Sequence, residues 1–300
     1  MILLTFFKRQ QAKLLRYLLI LSLGLILSCI WHRNGVATSN LIYQKFEQPN
    51  SIIHTVTIPY NSNYIITPLI AQELASIEQF TTQHKAIAAI NGGYFDPQNQ
   101  KTTSYITKNN NLIADPRTNE RLIDNPSLKP YLGKILNRGE FRRYQCGTSI
   151  FYDIAPHFST SPDGCILQDA LGAGPQLLPL DTSLTEGFIA YQDNKLVRDV
   201  IGANALNSRS AVAIKDGGEV ILAMVEQKAP VDSGMSLPNL TAFLQGLGAV
   251  KAINLDGGSS SSLYYQGQTY YGKLDKEGNK VQRPIKSVLA VITQHSKVKS

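Results

Sequence analysis

The chain has 300 residues, 43% of them hydrophobic and 17% charged, with 29 Lys+Arg against 22 Asp+Glu for a formal charge of +7. That balance excludes an intrinsically disordered chain, and only three Cys exclude a disulfide-dense scaffold. What remains is a globular protein with ample core, whose basic excess raises the question of a nucleic-acid or anionic-membrane partner.

The charge is unevenly placed. Residues 1–31 hold Lys8, Arg9, Lys13 and Arg16 and no acid, which leaves +3 for residues 32–300. This basic end runs into the uncharged stretch Tyr17–Trp31, about 22 Å long as a helix and short of the ~30 Å hydrocarbon core. A positive segment ahead of a short apolar one has the layout of a secretory signal or signal anchor, so everything after Trp31 is expected to be exported and membrane-associated, on the periplasmic or extracytoplasmic face. Ile26-Leu-Ser-Cys29 resembles a bacterial lipobox with Cys29 as the lipid-bearing residue. Gly35-Val-Ala37 competes as an ordinary cleavage site, and an uncleaved anchor is the third option. The reading is therefore 1–31 as signal peptide or anchor, 32–40 as a stalk and 41–300 as the exported domain.

Export leaves Cys146 and Cys165 as an even pair in an oxidising compartment. A disulfide between them would close a loop of about 20 residues, worth on the order of 3 kcal/mol; the alternative is two unrelated buried thiols. No C-x-x-C and no Cys/His cluster supports a metal or redox site; no cofactor is assigned, and a metal requirement stays open.

In chain order, Leu41–Phe46 and Ile52–Ile58 read as strands, being rich in β-branched and aromatic residues. From Pro68 to about Gln83, Leu69, Ile70, Leu74, Ile77 and Phe80 fall at helical spacing. Lys85–Ile90 is a short apolar strand running into the turn Asn91-Gly-Gly-Tyr-Phe-Asp96. Residues 97–145 read as long polar loops with a basic cluster at Lys134, Arg138, Arg142 and Arg143. Arg209–Ile214 and Glu219–Val225 flank Lys215-Asp-Gly-Gly218, a hairpin signal. Pro238 to about Leu247 is helical with Gly248 as a stop, Val250–Leu255 is a strand, Ser262–Tyr265 begins another, and Ser287–Ile292 is a buried strand. Two stretches echo each other: each is a helix, a short apolar strand and a Gly-Gly turn, at Gly92-Gly93 and Gly257-Gly258. Placed in one sheet, they would bring both turns to one site. Together the elements imply an α+β fold: a single domain with a mixed β-sheet and a few packed helices behind the N-terminal apolar segment.

Known catalytic signatures are absent: there is no Walker motif and no H-E-x-x-H, and Gly258-Ser-Ser-Ser-Ser262 has no His nearby to activate a Ser. Four Gly/polar clusters remain, at Asn91–Asp96, Gly172–Leu178, Asn207–Ile214 and Asn254–Ser262. Alone, each is an ordinary turn; four together suit oxyanions and sugar hydroxyls. Arg209, at the head of an apolar strand, is expensive to bury without an anionic partner.

Asn91-Gly-Gly-Tyr-Phe95, Gly172–Leu178, Arg209-Ser-Ala-Val-Ala213, Ser233-Gly-Met-Ser-Leu237 and Asn254-Leu-Asp-Gly-Gly-Ser259 occur in the order seen in the phosphodiester glycosidase family, which the chain resembles over roughly residues 85–293. One departure is the turn after Val220–Val225. Here Glu226-Gln-Lys228 keeps the acid and a positive charge where the family commonly has an acid followed by Gly-Arg. The resemblance implies an exported hydrolase that cleaves a sugar-1-phosphodiester at the anomeric carbon. Glycoside cleavage normally uses two carboxylates, and the candidates are Asp256 and Glu226, with Asp96 next. Arg209 and the amides of Gly92, Gly93, Gly257 and Gly258 would hold the phosphate. Asn91, Asn254, Ser259 and Ser260 would hold sugar hydroxyls or a water, with Gly174 in the same binding set. The alternative is a non-catalytic, membrane-tethered glycan- or envelope-binding protein on the same fold. Nucleic acid is not an expected partner, since only Lys134–Arg143 offers a basic face.

Overall fold

The computed structural model describes residues 40–229 and 232–294. The expected signal or anchor, Cys29 and nearly all of the stalk lie outside the described residues. Among the described residues no helix is long and apolar enough to cross a membrane.

Asn40–Ser300 forms one unit, built mostly of β-structure. The first sheet has six strands in the order Ile42–Gln48, Ser51–Ile58, Val220–Gln227, Arg209–Lys215, Ala249–Asn254, Gln176–Leu178. A second sheet runs Gln268–Tyr271, Ser262–Tyr265, Ala88–Asn91, Ile285–Thr293, Tyr64–Ala75. The third runs Asn111–Ala114, Ile106–Lys108, Cys165–Gly172, Gly139–Cys146, Ser149–Pro156. A two-stranded ribbon, Ile189–Gln192 with Lys195–Asp199, stands apart. Val212 and Leu222 of the first sheet, Ile90 and Leu289 of the second, and Phe141 and Leu171 of the third belong to one apolar core.

The period of two along each strand decides what each face meets. On the first sheet, Val212, Leu222 and Ile253 enter that core, while Ala213, Ala223 and Ala252 pack under the helix Leu237–Gly246 through Leu240 and Leu244. Alanines on that face let the helix approach closely. The helix starts as its sequence predicts, with the Ser236 hydroxyl accepting from the Asn239 N–H. Gly248, at φ +85°, ends it.

Three expectations are corrected. The sheets are not mixed: every pairing between described strands is antiparallel, and helix is scarcer than an α+β fold implies. The stretch from Pro68 begins as strand, because Tyr64–Ala75 pairs with Ile285–Thr293 at the edge of the second sheet, where Pro68 costs no ladder bond that a central strand would need. Helix is confined to Ile77–His84, started by a Ser76/Gln79 capping box. Within 97–145, Gly139–Cys146 is an eight-residue strand. It shows no polar alternation because both its faces are covered and its arginines are paired inside, Arg142 with Glu140 at 2.9 Å and Arg143 with Asp169 at 2.7 Å. The strand also places Cys146 opposite Cys165, and the two form the disulfide.

Candidate active site

The two echoing units end in different sheets, yet their turns meet. Ala88–Asn91 is central in the second sheet and Ala249–Asn254 lies in the first. Where they end, the Asp256 N–H donates to Gly92 O at 3.1 Å and the Leu255 N–H to Ser210 O at 2.8 Å. Asn91 locks the junction. Fully buried, it donates from Nδ2 to Asp256 O at 2.7 Å, and its Oδ1 accepts from Ser210 Oγ at 2.6 Å and the Ser262 N–H at 3.1 Å. Its amide is therefore engaged by protein groups that join the turn at Asp256 to Ser210 and Ser262.

The glycines serve the same junction. A Cβ on Gly92 would lie 2.3 Å from Ser287 Oγ, and one on Gly93 2.1 Å from Gly172 O. Close backbone approach, rather than contact with a ligand, demands them. The Gly92 N–H already donates to Ser287 O at 2.8 Å and the Gly258 N–H to Ser208 O at 3.0 Å, so neither is free for a phosphate.

Beside the junction opens a cleft of about 490 Å³, a size suited to a small ligand. Asp256 is the one carboxylate among the described residues that line it. Burial pushes the Asp256 carboxyl up to about 6, against the Ser260 hydroxyl, the Arg283 guanidinium and the Gly257 N–H, which favour the charged form. Arg283 itself reaches Ser259 Oγ at 3.0 Å and stacks over Phe95 at 4.9 Å. Asn254 lines the cleft, with Nδ2 against Tyr94 Oη at 2.7 Å and Gly174 O at 3.1 Å, and its buried Oδ1 has no partner among the described residues. Tyr94 donates in turn to Gly174 O at 2.8 Å.

Arginine placement reverses the expectation. Arg209 lines the cleft but its guanidinium is occupied: Nε donates to Met235 O, Nη1 to Ile201 O, and Nη2 to Gly202 O and Ala205 O, all within 3.0 Å. It pins the 201–205 loop to the strand and is a structural cation first. Arg138 is open where Arg209 is not. Its Nε donates to Glu186 O at 3.2 Å, its guanidinium lies 3.7 Å over the Phe188 ring, and its Nη atoms make no hydrogen bond among the described residues. Burial pulls Arg138 down to about 10, which leaves it cationic at neutral pH.

The two other proposed carboxylates lie off the cleft lining. Glu226 is taken by His54 at 2.9 Å and Lys280 at 2.6 Å, and these partners outweigh burial and hold its carboxyl low. Asp96 is likewise held low despite burial, by the Gln98 N–H and by Arg121 at 2.6 Å. Of the binding set, Arg209, Asn254, Gly257 and Gly258 line the cleft, whereas Asn91, Gly92, Gly93, Gly174, Ser259 and Ser260 do not. Gly174, at φ +111°, has no room for a Cβ, which would sit 2.1 Å from Glu186 Oε2.

The sequence model of the phosphodiester glycosidase family matches residues 84–292. The chain belongs to the phosphodiester glycosidase family. Its fold is similar to that of the zebrafish N-acetylglucosamine-1-phosphodiester alpha-N-acetylglucosaminidase catalytic domain, auto-inhibited by its pro-peptide, at TM-score 0.60 and 17% identity over 87% of this chain and 84% of that one. It is also similar to a hypothetical protein from Synechocystis, at TM-score 0.55 and 19% identity over 84% of this chain, spanning 61% of that protein's length. A Burkholderia pseudomallei protein aligns at TM-score 0.54 and 15% identity, over 81% of this chain and 74% of that one. No curated protein matches the sequence.

At the turn where the family's Gly is replaced, Gln227 bridges two loops: Nε2 donates to Ser233 O at 2.8 Å and Oε1 accepts from the Leu274 N–H at 3.1 Å. Sequence reasoning missed Arg138, Tyr94 and Phe188. Arg138 was grouped with Lys134, Arg142 and Arg143, and nothing local separates the arginine that stays open from the two that are paired.

Proposed function

We propose that the chain is a hydrolase of sugar-1-phosphodiesters, with Asp256 as its reactive carboxylate and Arg138 as the phosphate-holding cation. The observation that carries this reading is their arrangement in one cleft: a carboxyl titrating near neutrality and an arginine with open Nη donors. A phosphodiester keeps its single negative charge over this range and pairs with Arg138. Asp256, ionised above about pH 6, draws the proton from a water whose oxygen bonds to the anomeric carbon, or attacks that carbon itself to give a glycosyl ester that water then hydrolyses to free sugar. The anomeric C–O bond breaks and its electron pair leaves with the phosphomonoester. Such a leaving group is a weak base and needs no proton, so one carboxylate suffices where ordinary glycosides need two. Tyr94 and Asn254 define the floor against which the sugar ring rests.

The disulfide supports a location outside the cytoplasm, where such bonds persist; export by the N-terminal segment belongs to the same proposal. The test is release of free sugar from a GlcNAc-1-phosphodiester by the purified full-length protein. Asp256→Asn should cut kcat by a factor of roughly 10² or more. Wild-type binding without turnover across a panel of sugar-1-phosphodiesters would favour the glycan-binding alternative.

A further inference from the structure

Resting on that reading, the geometry points to a substrate whose phosphate carries an apolar alcohol, an alkyl or prenyl-like chain, rather than a second sugar. The residues lining the cleft are of two chemical kinds. Asp256, Asn254, Asn207 and Arg138 supply charge and hydrogen bonds, while Leu122, Leu128, Ile135, Phe188, Val200 and Ile201 supply a wall without polar side-chain atoms. Arg138 joins the two halves, its guanidinium lying 3.7 Å above the Phe188 ring. A phosphate held by the Nη atoms of Arg138 with its sugar ester at Asp256 would present its other ester to these apolar residues. A polyhydroxylated alcohol there would strand its hydroxyls unpaired against aliphatic carbon.

The wall also runs outward. Val200 lines the cleft while 52% exposed, and the ribbon leading into it exposes Tyr191 (56%), Leu196 (52%) and Val197 (55%). Nearby, Leu184 is 52% exposed. Exposed apolar side chains mark a surface meant to be covered, and the chain continuity of this ribbon with Val200 in the cleft lining makes the substrate's own chain the occupant. Arg198 of the same ribbon lines the cleft and lies 4.5 Å over the Tyr131 ring, which adds a second cation beside the phosphate path.

The experiment compares the full-length protein on GlcNAc-1-phosphate esterified to n-hexanol, methanol or glycerol, all below micelle-forming concentrations. With part of the hexyl chain buried, kcat/KM should favour the hexyl over the methyl ester by about 30-fold, equivalent to about 2 kcal/mol. Val200→Asp should reduce that ratio by roughly tenfold, because it sets a charge on the wall; the ratio is taken within one protein and so is insensitive to how much of it is folded. A ratio within about threefold of unity, a preference for the glycerol ester, or a ratio untouched by Val200→Asp would overturn the inference while leaving hydrolysis standing. If no diester is turned over, the hydrolytic reading falls. Calorimetric affinities for the hexyl and methyl esters then decide the apolar subsite, by the same ratio.

Discussion

Asn91→Ala separates a structural tie from a sugar ligand. The change deletes the acceptor for Ser210 Oγ (2.6 Å) and the Ser262 N–H (3.1 Å), and the donor to Asp256 O (2.7 Å), at a position with no exposure. The Ser210 hydroxyl can rotate to another acceptor. The Ser262 N–H and the Asp256 carbonyl cannot, and each buried group left unpaired costs about 1–3 kcal/mol. Adding the hydrogen bond lost from Ser210, the total is roughly 4 kcal/mol, which for a domain of this size lowers Tm by about 8–16 °C. The assay is thermal unfolding with the disulfide oxidised, run beside kcat and KM on a sugar-1-phosphodiester. Because Asn91 does not line the cleft but holds the Asp256 backbone, kcat should fall while KM stays within roughly threefold. A variant that melts within about 2 °C of wild type yet raises KM about tenfold would make Asn91 a substrate ligand and refute the tie.

Other outcomes follow from the same geometry. Activity should rise with pH through about 6 as Asp256 ionises, seen as the acid limb of kcat/KM; Ser260→Ala removes a group favouring the carboxylate and should move that limb to higher pH. The folded carboxyl titrates above its ordinary value, so the fold bears a cost that is absent below about pH 4 and complete above about pH 6. Asp256→Asn should accordingly be more stable than wild type by roughly 2–3 kcal/mol at pH 8 and lose that margin by pH 4, measured by urea unfolding. Arg209→Gln should destabilise the protein strongly, since it orphans carbonyls at 201, 202, 205 and 235; Arg138→Gln should leave Tm within a few degrees but weaken binding of inorganic phosphate about tenfold or more, read by calorimetry. Replacing both Cys146 and Cys165 by Ser should cost on the order of 3 kcal/mol in urea unfolding, the value of closing a loop of this length.

Signals that act over a few residues were legible before any fold was known. The Lys215–Gly218 turn between apolar runs is a hairpin, and the helix from Pro238 ends at Gly248, because each depends on dihedrals and hydrogen bonds within one turn of chain. The order of the glycine motifs was enough for the family, whereas the even pair of cysteines left two options that the strand pairing of Cys146 with Cys165 decides. The window from Pro68 was misread because apolar residues at helical spacing also serve the two faces of an edge strand, and only the partner strand Ile285–Thr293 decides between them.

The roles of the charged residues were decided by tertiary structure. In sequence, Arg138 and Arg209 are equivalent cations, and Asp256, Glu226 and Asp96 equivalent carboxylates. What separates them is whether their hydrogen bonds are already spent. Arg209 is occupied by the carbonyls of a loop and by Met235, Glu226 by His54 and Lys280, and Asp96 by Arg121. Arg138, buried, and Asp256, half-buried, line a cleft with capacity left over. Composition and motif order determine which groups the chain carries and which family it joins. Whether a buried charge is spent or left open depends on partners from distant parts of the chain, brought within hydrogen-bond reach only by the packed sheets.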